Sequence, residues 1–351
     1  MKEDKEYCSS SFLMYRTIDD KTKCFSLKYP PAKAVFPTDR IPISNSNELA
    51  SFLEKSIKAK TKGKKVALAL SGGIDSAILL NFIPKNSIVY TFKCIVPGVS
   101  VTDETIQAKK YITENRPDLT HKIIPIYWED FVNFGPLLMK QKGAPIHSIE
   151  VQIYKAALEA KADDCDIFVF GETADCLYGG HSKLLSRDYS LSEFVNRWAF
   201  VMPETALKNP QTITRPIEQF EKNGRIDVPK FLSNYVVKVS YNSYYNACRL
   251  AGIEFFTPYV YTFLKDPLDL DRVRKGESKY LVREVFAKLY PDFTIPTKIS
   301  MPRPMSEWLK DWPGPTRPEF IPHCTDQMTG DQKYYVWALE TFLNLISKEK
   351  K

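Results

Sequence analysis

Apolar and polar positions alternate in blocks along the chain. Short continuous apolar runs occupy residues 66–70, 87–96 and 165–171, the form taken by strands buried on both faces of a parallel sheet. A further run, "HKIIPIYW" at 121–128, is interrupted by Pro125 and predicts an edge strand, because proline donates no ladder hydrogen bond. Between these runs the apolar residues take helical spacing. Leu49, Phe52, Leu53 and Ile57 follow the cap residues Ser46 and Asn47, "DETIQAKKYITE" forms a second helical block, and a long one runs from 148 to about 162 with Ile149, Ile153 and Ala157 on one side. Strands alternating with helices predict an α/β fold, a doubly wound parallel sheet sandwiched by helices, whose ligands bind at the carboxyl ends of the strands near a switch in strand order.

The pattern differs at both ends. Residues 1–45 contain "SFLMYRTI", the polar turn "DDKT" and "KCFSLKYPP", which predict a short N-terminal β-hairpin leader. After about residue 185, aromatic-rich helical segments dominate, among them "SEFVNRWAFVM", "VPKFLSNYVVKVSYNSYYNACRLAG" and "SKYLVREVFAKLY". The expected division is therefore a leader over 1–45, an α/β unit over 46–185 and a largely helical region over 186–351. The proline-rich stretch "MPRPMSEWLKDWPGPTRPEFIP" carries Trp308, Trp312 and Phe320 and is expected to be an ordered, wrapping segment.

Composition narrows the field only slightly. A chain of 351 residues exceeds the roughly 250–300 residues over which one core keeps growing, which favours two domains. The net charge of +7, from 49 basic and 42 acidic residues, is compatible with an anionic ligand but is spread out, which speaks against a nucleic-acid platform. Seven cysteines with no C-x-x-C pair, in a chain without a signal peptide, point to reduced thiols in the cytoplasm. Four scattered histidines argue against a zinc site of the usual spacing. No apolar run is long enough to span a bilayer, so no membrane partner is expected.

The chemistry begins at "KKVALALSGGIDSAILLNF", residues 64–82. A buried strand runs into two glycines, which let the backbone turn tightly and approach a ligand, and then into the opening of a helix. Strand, loop and helix N-terminus together suggest an anion cradle with unpaired amides facing a phosphate. The Walker form needs a lysine after the glycines, and the dinucleotide form needs G-x-G-x-x-G; neither is present. What remains is S-G-G-I-D-S, in which hydroxyls and amides embrace pyrophosphate and Asp75 can hold the accompanying Mg²⁺.

This loop resembles that of the N-type ATP pyrophosphatase (PP-loop) superfamily. "GETADCLYGG" at 171–180 resembles the G-E-G-[SA]-D-E-[LV]-[FY]-G-G segment of class B asparagine synthetases and their β-lactam-forming relatives. "GIEFFTPYVYTFL" occupies the place of the family's G-x-E-x-R-x-P-F-L-D block, "SKYLVREVF" resembles its G-K-Y-[IL]-L-R-x-[AC]-F helix, and "IPTKISMPRP" aligns with R-x-K-x-x-F. The resemblance implies an adenine nucleotide α-hydrolase-like fold, and an ATP site of Leu70, Ser71, Gly72, Gly73, Asp75, Ser76, Phe92 and Gly171. It also implies magnesium held by Asp75 and Asp175, Glu172 at the amine or acyl-adenylate centre, and Lys298 as the catalytic lysine. Arg303 is a candidate second cation. Residues 186–351 would then hold the acceptor.

The implied function is an ATP-dependent, AMP- and pyrophosphate-forming amide ligase. Its partners would be a small-molecule or conjugated carboxylate and ammonia or an amine, the latter possibly from a separate glutaminase, since fewer than 70 residues precede the loop. Cys176 stands where the family has Glu, Phe256 where it has Arg and Tyr261 where it has Asp, so aspartate is doubtful as the acceptor. An NAD synthetase-like enzyme, an RNA-modifying PP-loop enzyme and a catalytically lapsed nucleotide-binding scaffold are the alternatives.

Overall fold

A computed structural model describes residues 1–296 and 303–348. Its centre is a five-stranded, all-parallel sheet of β1 (Val66–Ala69), β2 (Ile88–Cys94), β3 (Thr120–Ile126), β4 (Ile167–Val169) and β5 (Glu254–Phe256), in the order β5-β4-β1-β2-β3. Leu68 is paired with Val89 on one side and with Val169 on the other. β3, carrying Pro125, is an edge strand as its proline predicts.

The helices that build the surroundings are α1 (Lys5–Tyr15), α2 (Ser46–Lys60), α3 (Ile74–Leu80), α4 (Thr105–Asn115), α5 (Trp128–Lys142), α6 (Ile149–Ala162), α7 (Ala174–Leu177), α8 (Val237–Ala251), α9 (Tyr280–Leu289) and α10 (Gly330–Lys348). Successive residues of β1 serve opposite faces, as a strand of period two must. Val66, Leu68 and Leu70 join one core with Leu53 of α2, Ile78 of α3, Tyr111 of α4 and Phe286 of α9. Ala67 and Ala69 join the other, with Phe12 of α1, Phe131 of α5, Ile153 of α6, Cys248 of α8 and Phe342 of α10. Among the described residues, no helix is long and apolar enough to cross a membrane.

Two sequence expectations are corrected. The N-terminal segment is not a β-hairpin: Lys5–Tyr15 is a helix, Lys2–Glu3 pairs in parallel with Lys23–Cys24, and Ile41–Ile43 pairs in parallel with the distant Thr262–Leu264. Asp4 caps α1 by accepting from the Tyr7 amide at 3.0 Å, and Arg16 ends it in the left-handed region. Cys8 through Tyr15 are all buried, so no polar stripe marks the helical period. The boundary near residue 185 also fails to separate two units, because β5 comes from beyond it and pairs with β4. One core accordingly contains residues from Met14 to Tyr290.

The described part of the proline-rich stretch is an ordered segment packed on the core. Trp308 packs on Phe131 with centroids 5.3 Å apart and donates to the Ile95 carbonyl at 3.2 Å, and Phe320 is buried.

Candidate functional site

The strand order sets the position of the site. From β1 the chain moves to β2 and β3 on one side, then returns to β4 and β5 on the other, so the loops that follow β1 and β4 leave the sheet side by side. Such a reversal opens a crevice at the carboxyl ends of the strands.

The loop after β1 is tied to itself by its two serines. Ser71 Oγ accepts from the Gly73 amide at 3.1 Å, Ser76 Oγ accepts from the Ser71 amide at 3.1 Å, and the two hydroxyls lie 3.1 Å apart. The expectation of unpaired amides is therefore corrected at these two positions, where short hydroxyl side chains supply the acceptors. Leu70 anchors the loop from below: its amide donates to Tyr90 and its carbonyl accepts from the Thr91 hydroxyl at 2.8 Å. Phe92 lies on β2 beyond the last residue paired with β1, half-buried and level with the loop.

The loop after β4 approaches the first one so closely that a side chain is excluded. A Cβ on Gly171 would lie 2.7 Å from the Ser76 amide nitrogen and 2.9 Å from the Asp75 carbonyl carbon. Two residues later Thr173 adopts φ 75°, a left-handed conformation that costs a β-branched residue on the order of 1–3 kcal/mol. Its buried hydroxyl has no hydrogen-bond partner among the described residues. Backbone strain of this kind concentrates at functional sites.

Asp75 from the first loop and Asp175 from the second meet on one cation, the ammonium of Lys279. Lys279 Nζ lies 2.7 and 2.6 Å from the two oxygens of Asp75 and 3.0 Å from Asp175 Oδ1. Lys279 is buried and occupies the left-handed cap position before α9. Burial by itself would push its ammonium down, but the charges of Asp75 and Asp175 outweigh that and hold its pKa above the usual lysine value. α3 is fixed from the same side, since Tyr259 donates to the Asp75 carbonyl at 3.1 Å.

Glu172 is positioned on the other flank. Its carboxylate accepts from the Ser240 hydroxyl of α8 at 2.6 Å, and its carbonyl accepts from Thr257 just after β5. The Tyr244 phenol is buried near Glu172, and burial first, then the charge of that carboxylate, pushes it well above its ordinary pKa.

Ser71, Gly72, Gly73, Asp75, Ser76, Gly171 and Asp175 thus converge at one crevice, with Leu70, Phe92 and Glu172 on its borders. Lys298 lies outside the described residues. Lys279 was not foreseen; the signal for it was the lysine of "SKYLVREVF", legible only as part of a helix.

The carboxylates fit a magnesium ion carried by phosphates. Mg²⁺ takes one or two protein carboxylates and completes its octahedron with phosphate oxygens and water, and Asp75 and Asp175 already share a cation. Among the described residues, no group of three or more His, Cys, Asp or Glu is placed to hold a metal by itself. A separate cleft of about 760 Å³, lined by Cys176, Leu177, Arg187, Lys222 and Arg225 among others, includes none of Asp75, Asp175 and Glu172.

The geometry defines a parallel α/β protein with a PP-loop-type turn and a second acidic loop facing it across the switch point. Residues 48–253 match the family described as asparagine synthase, more than half of the chain, and the protein belongs to that family. Among solved structures, the chain is similar to an NH3-dependent NAD synthetase from Campylobacter jejuni subsp. jejuni, at 17% identity and a TM-score of 0.26, over 38% of this chain and 60% of that one. It thus spans less than two thirds of that enzyme's length. It is also similar to an NMN synthetase from Francisella tularensis, at 10% identity and a TM-score of 0.26, over 73% of this chain and 97% of that one. At these scores neither likeness adds to the argument. No curated protein matches the chain.

Proposed function

We propose that the protein is an ATP-dependent ligase that adenylates a carboxylate, releases pyrophosphate and passes the acyl group to ammonia or an amine, as a class B asparagine synthetase-like domain would. The observation that carries this reading is the meeting of Asp75 and Asp175 on a single ammonium directly above the S-G-G-I-D-S turn. Two acidic loops from neighbouring strands sharing a cation beside a glycine turn make a site for a magnesium-bound triphosphate.

In the first half-reaction a carboxylate oxygen of the acceptor attacks the α-phosphorus of ATP, and the bond to the bridging oxygen of the β-phosphate breaks. The serine hydroxyls and loop amides exchange their internal bonds for bonds to the departing pyrophosphate. Magnesium, when bound, neutralises charge on the phosphate oxygens. Lys279 orients Asp75 and Asp175 toward that position and adds its own positive charge. In the second half-reaction the nitrogen attacks the acyl carbon, AMP leaves, and Glu172, held by Ser240, accepts the proton released from nitrogen. Lys298, by its alignment, stabilises charge at the α-phosphate. The seven free cysteines fit a reducing compartment, and we assign the protein to the cytoplasm.

The test is pyrophosphate release from ATP and Mg²⁺ over a panel of carboxylates. One or more members should support turnover by the native protein, and Asp75→Asn should lower it on the order of 100-fold. Equal activity in the variant would reject the site.

A further inference from the structure

The cleft of about 760 Å³ takes no part in the reaction, and its lining is strongly charged. Its walls come from distant parts of the chain: α7, the short antiparallel pair of Glu221–Lys222 with Arg225–Ile226, and the residues that follow Thr262–Leu264. Seven lysines and arginines line it against three aspartates. Two of those aspartates are already engaged. Asp188 accepts from Arg274 at 2.6 Å, and Asp227 accepts from the Lys230 amide at 3.1 Å while pairing with the Lys230 ammonium at 3.3 Å. Arg187 is paired with Glu193 at 3.0 Å. Among the described residues, Arg40, Lys222 and Lys265 form no ion pair.

Exposed lysines are solvated and by themselves point to no ligand, but Arg40 is held differently. It directly precedes Ile41–Ile43, whose pairing with Thr262–Leu264 brings its guanidinium over that segment. Half-buried there, it donates from Nε to the Val260 carbonyl at 3.0 Å and from Nη2 to the Thr262 carbonyl, and its Nη1 makes no hydrogen bond among the described residues. Two neutral carbonyls fix the fork but leave its charge uncompensated, and burial lowers its pKa. An apolar surface adjoins it. The Phe263 ring is 39% exposed, with its centroid 5.9 Å from the guanidinium carbon, and Leu264 and Leu268 line the cleft with it. A rigid planar fork with a free edge matches a phosphate, the neighbouring lysines suit more than one negative charge, and the volume is that of a small-molecule site.

We propose that this cleft binds a phosphorylated small molecule with an apolar body, a ligand separate from ATP. Its phosphate sits on the free edge of Arg40, with Lys222 and Lys265 supplying further positive charge, and its apolar body lies on Phe263, Leu264 and Leu268. Cys176 and Leu177 of α7 form part of the wall, so the ligand rests against the short helix that carries Asp175. The inference does not depend on how the nucleotide site is read.

Titration calorimetry on the full chain tests it with hexyl phosphate and 1-naphthyl phosphate, against inorganic phosphate and hexanol. At least one of the two esters is expected to bind about tenfold or more tightly than either control. Arg40→Gln should remove that preference. Because Arg40 also bonds backbone carbonyls, a second variant reverses only the two exposed charges: Lys222→Glu with Lys265→Glu should keep the native melting temperature and still weaken the ester several-fold. Saturating ATP and Mg²⁺ should leave the titration in place. Esters that bind no better than inorganic phosphate, binding indifferent to the charge reversal, or displacement of the ester by ATP would each overturn the proposal.

Discussion

At the scale of single residues, Lys279 organises the site. It is the cation that Asp75 and Asp175 share, and removing one member of a buried charge cluster costs on the order of 3 kcal/mol. Lys279→Ala should therefore lower the melting temperature, and millimolar Mg²⁺ should recover part of the loss in the variant while changing the native protein little. Melting curves with and without Mg²⁺ check this, and a variant indifferent to Mg²⁺ would speak against the two carboxylates as a metal site. Glu104, buried beside the turn at Gly72, gives the pH dependence. Burial lifts its carboxyl to about 7, against the pull of Arg303 and with a further push from Asp103. The folded state thus favours the protonated form, so this contribution is fully present below the unfolded pKa of about 4.5 and is lost as pH rises through 7. Glu104→Gln is expected to stabilise the protein by on the order of 2–3 kcal/mol at pH 8 and by little at pH 4, as read from denaturant unfolding at the two values.

Among the elements, the two loops at the switch point act as one unit because Gly171 permits backbone contact between them. Gly171→Ala would drive a Cβ against the Ser76 amide and the Asp75 carbonyl carbon. The expected cost is about 1–3 kcal/mol of stability, together with weaker ATP binding. Chemical unfolding and nucleotide titration of the same variant measure both, and an unchanged pair of values would show that the loops are not in register as described. The β1 loop was legible in sequence because a buried strand, a glycine pair and a helix opening each leave a local signature. α1 was not, since a helix buried from Cys8 through Tyr15 presents no periodic polar face, and its aromatic and apolar residues suit a strand equally well. α5 was also hidden: Gly135 and Pro136 lie inside it, and both suggest a break.

At the scale of the whole molecule, the parallel sheet and its flanking helices followed from the alternation of blocks, whereas the closing of the sheet by β5 did not. Residues 254–256 are only a short strand between α8 and a turn, and nothing local marks which distant strand they will pair with. The same distance hid Lys279, whose role exists only because α9 returns to the crevice more than two hundred residues after Asp75.

The central claim is that Asp75 and Asp175 receive one magnesium-bound triphosphate. Calorimetric titration of the full chain with ATP, in the presence and absence of Mg²⁺, tests it most directly when repeated with Asp75→Asn and Asp175→Asn. The account predicts saturable, Mg²⁺-dependent binding that weakens about tenfold or more in each variant. Binding of equal strength in both variants, or no dependence on Mg²⁺, would contradict it.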